Sequence, residues 1–199
     1  WTGTSELPAK PEKDVGLGLS LPLPASGPRS AGWWAMFITM VADATAFASL
    51  VFAYFFYWTV HEVFPPPGRS PLPALPLWGG LAALALAWTA TFGARLLNRL
   101  DPAFAPRLLL AFGAALAGLG GAVLILAPLQ AGYAPTSHSY DAIVWIILIW
   151  TVLHIGLGLI MQLYCLARCL AGRLTPRHDG DLWNTALYWH FLILTAIVA

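Results

Sequence analysis

The sequence predicts an all-α integral membrane protein, a bundle of five transmembrane helices with its N-terminus cytoplasmic and its C-terminus on the opposite side. Three observations predict it. Of 199 residues, 59% are apolar and only 10% charged, where a soluble domain carries roughly 25% charged residues. Five apolar runs approach or exceed the roughly 20 residues that cross about 30 Å of hydrocarbon at about 1.5 Å each. Lys and Arg gather in alternate connections, the pattern of a multi-pass chain whose cytoplasmic loops are basic. Ten Trp, ten Phe and six Tyr at a mean hydropathy of +0.72 could not enclose a water-facing core without leaving large apolar patches exposed.

The elements follow in order. Residues 1–31 are rich in Pro, Gly, Ser and Thr and carry charges of both signs. They bury too little apolar surface to fold alone and read as a linker or tail. The domain is expected over 32–199. Its first span covers 34–58 with a single charge, Asp43, and ends before the helix-breaking run Pro65, Pro66, Pro67, Gly68. The second covers 77–97, and a short polar break around Asp101-Pro102 leads to the third, 107–129. The fourth, 142–170, is the longest and should tilt or protrude. A polar hinge over 172–181 opens the fifth, from 183 to the end. Lys10, Lys13, Arg29, Arg95, Arg99, Arg107, Arg168, Arg173 and Arg177 fall on one side and only Arg69 on the other, which sets the orientation. Trp33, Trp34, Trp58, Trp78, Trp145 and Trp183 sit near span ends, where indole rings favour the headgroup zone. Gly113, Ala117 and Gly121 form a small-residue seam on the third span, with Gly156 and Gly158 adding small surfaces on the fourth for close helix packing.

A net charge of +1 with scattered basic residues excludes a nucleic-acid footprint. No phosphate loop, nucleophile elbow or H-E-x-x-H motif is present, so no catalytic residue is assigned. Asp43, His154 and His190 are the ionisable groups inside spans and are the intramembrane polar candidates. Each must face the bundle or a partner, because an unpartnered ionisable group in hydrocarbon is costly. Asp43 reads equally as a proton-linked carboxyl and as a buried neutral acid, and His154 is its plausible partner by depth. As haem or metal ligands His154 and His190 are too few, and interhelical hydrogen bonding explains them better; no metal site is expected. Cys165 and Cys169 read as two reduced thiols on one helical face.

Three segments carry a family resemblance. Trp33-Trp34-Ala35-Met36-Phe37-Ile38, with Asp43 and the aromatic run Tyr54 to Tyr57, resembles the first helix of the five-helix form of subunit III of haem-copper terminal oxidases, the cytochrome c oxidase subunit III family. Leu153-His154-Ile155-Gly156 is similar to that family's leucine-histidine-x-x-glycine helix, and Tyr188-Trp189-His190-Phe191 to the tryptophan-histidine-phenylalanine signature of its last helix. Asp43 stands where the family usually has glutamate, and Leu192 and Ile193 follow where an acid often does.

The resemblance implies an accessory subunit that holds no cofactor of its own. Haem and copper would sit in the catalytic subunit I, possibly on the same polypeptide, with subunit II as a further partner. It also implies bound phospholipid, for which Trp33, Trp34 and Trp189 are the lipid or interface candidates, support of proton uptake in aerobic respiration, and a bacterial cytoplasmic (inner) membrane location. The Pro-rich leader resembles the junction of a fused subunit I and III polypeptide. Two further classes are a proton-linked transporter or channel subunit and a haem-binding membrane anchor of a respiratory complex.

Overall fold

Helix-forming apolar runs separated by proline and glycine dictate the architecture, and the computed structural model describes it for residues 12–14, 18, 20–22, 27–100, 104–176 and 178–199. Five helices follow one another: α1 (Ala31–Val60), α2 (Ala74–Leu97), α3 (Ala105–Gln130), α4 (Ser139–Leu170) and α5 (Gly180–Val198). Each begins two or three residues before the expected apolar run. The reason is capping chemistry that hydropathy does not register. The Ser30 hydroxyl accepts from Trp33 N at 3.0 Å, the His138 ring accepts from Tyr140 N at 3.1 Å, and proline occupies the N-cap of α2 and the first turn of α3.

Four of the five helices, α1 to α4, are long and apolar enough to cross a membrane. The fifth is helical, as expected, but does not stand among them. Its 19 residues include Asp181, Asn184, Thr185, Tyr188 and His190, which lower its hydropathy. Yet α5 packs against α1, α2 and α4, and Leu182, Trp189 and Leu192 on it are fully buried. The helix least apolar in composition is the one most enclosed by protein.

Most of the expected tail, 1–31, lies outside the described residues. What is described is a short antiparallel pair, β1 (Glu12–Asp14) with β2 (Ser20–Pro22), and a 3₁₀ turn, Gly27–Arg29. That turn packs on α1 and α5. Gly27 adopts φ +69°, and a Cβ there would lie 3.2 Å from the Trp183 ring, so the chain enters the bundle through a position suited to glycine.

Small residues set the helix spacing. A Cβ on Gly80 would stand 2.6 Å from Leu124 Cγ and 3.1 Å from the Gly120 carbonyl oxygen, so α2 and α3 approach nearly backbone to backbone. On the expected seam, Gly113 faces Gln162 and the Ala87 carbonyl, Ala117 is fully buried, and Gly121 faces Ile155. Gly158 admits Tyr188 and Leu192 of α5. Gly156 is a correction: nothing lies within 4 Å of a Cβ placed there, so it joins no packed surface. By contrast α1 buries only Met40 and Phe47 among its 30 residues.

Candidate functional site: an acid and a histidine between α1 and α4

Asp43 lies about 18 Å along α1 from Ala31, counted at about 1.5 Å per residue, well inside the helix. Its carboxylate Oδ2 stands 2.5 Å from Nε2 of His154 on α4. Depth alone had suggested this pairing, and the two side chains meet. The His154 ring is held on every side. Its Nδ1 is 2.6 Å from the Trp150 carbonyl oxygen, the Trp150 ring stacks on it at 3.6 Å, and Phe191 of α5 approaches at 6.3 Å, inclined at 66°. Phe47 of α1 stacks on Trp150 at 4.5 Å. Tyr188 of α5 donates its hydroxyl to the His154 carbonyl at 3.1 Å, which ties α5 to the same turn of α4.

This geometry fixes the proton count. A carbonyl oxygen only accepts, so Nδ1 carries a proton and donates it to Trp150. Nε2 and Oδ2 then share one further proton, either as imidazole with carboxylic acid or as imidazolium with carboxylate. Both forms are neutral overall, which is the state a low-dielectric site favours. The pair is therefore joined through one hydrogen bond between Nε2 and Oδ2. The Asp43 side chain is 30% exposed and that of His154 only 12%.

His190 does not join this pair. Its Nδ1 lies 2.5 Å from the Ala186 carbonyl oxygen and 3.3 Å from the Trp88 indole nitrogen, and its ring meets Trp88 and Phe92 of α2 edge-on. Its neighbour Trp189, expected as a lipid or interface residue, is fully buried in the core, and its indole Nε1 has no hydrogen-bond partner among the described residues. The three residues of the Trp-His-Phe run thus point to three surroundings: Trp189 to the core, His190 to α2 and Phe191 to the Asp43–His154 pair. Trp33 and Trp34 do lie at the start of α1. Trp34 is 51% exposed and donates its indole N–H to the Pro28 carbonyl at 2.9 Å, and Trp33 stacks on Phe37 at 5.5 Å.

A second acid escapes the sequence reading. Asp141, in the first turn of α4, is fully buried; its Oδ1 pairs with Arg69 Nε at 3.0 Å, and its Oδ2 accepts from Ala134 N at 3.0 Å and from Ser137 Oγ at 3.3 Å. Arg69 also donates to Ser137 Oγ, so the α1–α2 and α3–α4 connections are joined through one carboxylate. Arg69, the lone basic residue of its side, was the available signal. Gln162 is also fully buried and donates to the Leu110 carbonyl at 3.1 Å, fastening α4 to α3. Cys165 and Cys169 are free and buried, with Cys165 Sγ 3.2 Å from Thr185 Oγ1. Among the described residues no three His, Cys, Asp or Glu side chains gather as a metal-binding group.

Fold and site together define a class: a helical multi-pass membrane protein with an ionisable pair joining two of its helices. Set against known proteins, the chain matches no family model and none of the curated proteins.

Proposed function

We propose that this chain is the accessory, non-metal-binding subunit III, or a fused subunit III domain, of a proton-pumping haem-copper terminal oxidase of the aerobic respiratory chain. It would sit in a bacterial cytoplasmic membrane with five spans and a cytoplasmic N-terminus. Its role is to support the stability and proton uptake of the catalytic subunit, which would hold the haem and copper, alongside subunit II and bound phospholipid. The observation that carries the reading is the Asp43–His154 pair. Two segments chosen for their family resemblance, far apart in sequence, each contribute one member of it, and Phe191 from the third resembling segment closes over the histidine.

A channel or transporter needs its ionisable groups on a water-accessible path. Among the described residues, one cavity of about 250 Å³ is lined by Val51, Tyr54, Leu72 and Tyr140 among others and another of about 240 Å³ by Leu77, Leu81 and Leu148 among others, and neither is lined by Asp43 or His154.

The test is purification through an affinity tag on this chain from native membranes, in mild detergent. A haem-bearing partner with oxygen-reducing activity, present in stoichiometric amount and absent from the chain once the complex is dissociated, is the expected result. Haem retained by the isolated chain and lost on His154→Ala would contradict it and favour the membrane-anchor reading.

A further inference from the structure

The Asp43 carboxyl has an open side. His154 takes Oδ2 from the α4 side, yet close to a third of the side chain stays exposed, within a helix of mean hydropathy 1.8. Hydrocarbon supplies no hydrogen-bond donor, so lipid acyl chains would leave that side of the carboxyl unsatisfied. We infer that the exposed face of α1 beside Asp43 docks a transmembrane helix of different sequence that brings a hydrogen-bond donor to the carboxyl. This deepens the reading as an oxidase subunit, and rests on it for the identity of the partner.

The surface around the carboxyl suits that occupant. Thr39 and Ala46, one turn to either side of Asp43, and the nearby Ala42 and Ser49 are all exposed and all small. Small side chains let a second helix come close enough for an interhelical hydrogen bond, as they do between α2 and α3 at Gly80 and Gly120. A second copy of this chain is a poor fit. It would bring a further Asp43, an acceptor, and its hydroxyls are already committed: Thr39 donates to the Ala35 carbonyl at 2.9 Å and Ser49 to the Thr45 carbonyl at 3.0 Å. The partner must supply a donor that this face lacks.

The experiment places the photo-crosslinking residue benzoylphenylalanine at Ala46, or at Leu119 on the exposed side of α3 as a control, in the full chain within native membranes. Cross-linked peptides are then sequenced. The expected result is a peptide from a transmembrane segment of different sequence, bearing Asn, Gln, Tyr or Lys near the linked residue, from position 46 and not from 119. Ala42 labelled in the same way in an Ala46→Phe background should give about ten-fold less of that product, the response of an overpacked interface. Adducts with this chain's own α1, or with lipid alone, would overturn the inference. The outcomes separate it from the functional reading: a haem-bearing partner retained while position 46 meets only lipid sinks the docking face, and a different membrane helix linked at 46 with no haem protein recovered sinks the oxidase.

Discussion

Two aspartates, Asp43 and Asp141, occupy helices of nearly equal length and share almost no other property. Asp141 sits in the first turn of α4, where the unpaired amides of the helix start favour an anion. It is fully buried, with three hydrogen-bond or ion-pair partners from two connections. Asp43 lies well inside α1, has one bonded partner among the described residues, and is partly open. A buried carboxylate held by Arg69, Ala134 and Ser137 fixes the loops that carry them. A carboxyl with one partner and one shared proton can still bind, exchange or be covered.

The difference should be visible in mutants. The largest effect is expected from Asp141→Ala, which strands the Arg69 guanidinium and leaves the Ala134 amide unpaired. Removing one member of a buried ion pair costs about 3 to 5 kcal/mol, and the low end applies because Arg69 is partly open to water. A marked fall in thermal stability in detergent, with loss of folded yield, checks it; a wild-type melting curve would show that Asp141 is not a clip.

Asp43→Leu should cost less, about 1 to 3 kcal/mol, because it leaves His154 Nε2 without its partner. Asp43→Asn should cost less again. The asparagine amide can donate to the neutral Nε2 that the Trp150 bond leaves available, so assembly is kept while the shared proton is lost. In the oxidase proposed above, this variant is expected to leave the haems and most of the initial rate in place, and activity is expected to fall faster during turnover. Immediate loss of oxygen reduction with all metals in place would put Asp43 on the catalytic proton path instead.

The smallest effect separates packed from idle glycines. Gly80→Ala should destabilise by about 1 to 3 kcal/mol, since its new methyl meets Leu124 and the Gly120 carbonyl. Gly156→Ala, in open space within a helix, should be neutral or stabilising by up to about 1 kcal/mol. Equal responses in chemical unfolding would contradict the packing described for the α2–α3 pair.

Much of this was legible in the sequence, and what was missed has a physical pattern. Apolar run lengths located all five helices, because spacing and hydrophobicity are local. Helix starts were placed late, since a capping Ser30 or a proline before α2 looks like loop to any hydropathy count. The depth argument brought Asp43 to His154, but depth says nothing about which way a side chain points around its helix, so it could not show that His190 turns to Ala186 and Trp88 instead. Trp189, which the resemblance made a lipid or interface candidate, is buried in the core. Asp141 was taken as the last residue of a loop; its burial depends on Arg69, and no local pattern reveals a partner beyond the intervening α2 and α3.

The claim on which the account turns is that Asp43 and His154 form one interaction between α1 and α4. A double-mutant cycle measures it directly, with Asp43→Leu, His154→Leu and the double variant unfolded in the same bilayer-mimetic detergent. If the pair is bonded as described, each single change destabilises by about 1 to 3 kcal/mol and the double costs no more than the larger of the two. Costs that simply add would show that the two residues act apart, and would contradict both the shared proton and the function built on it.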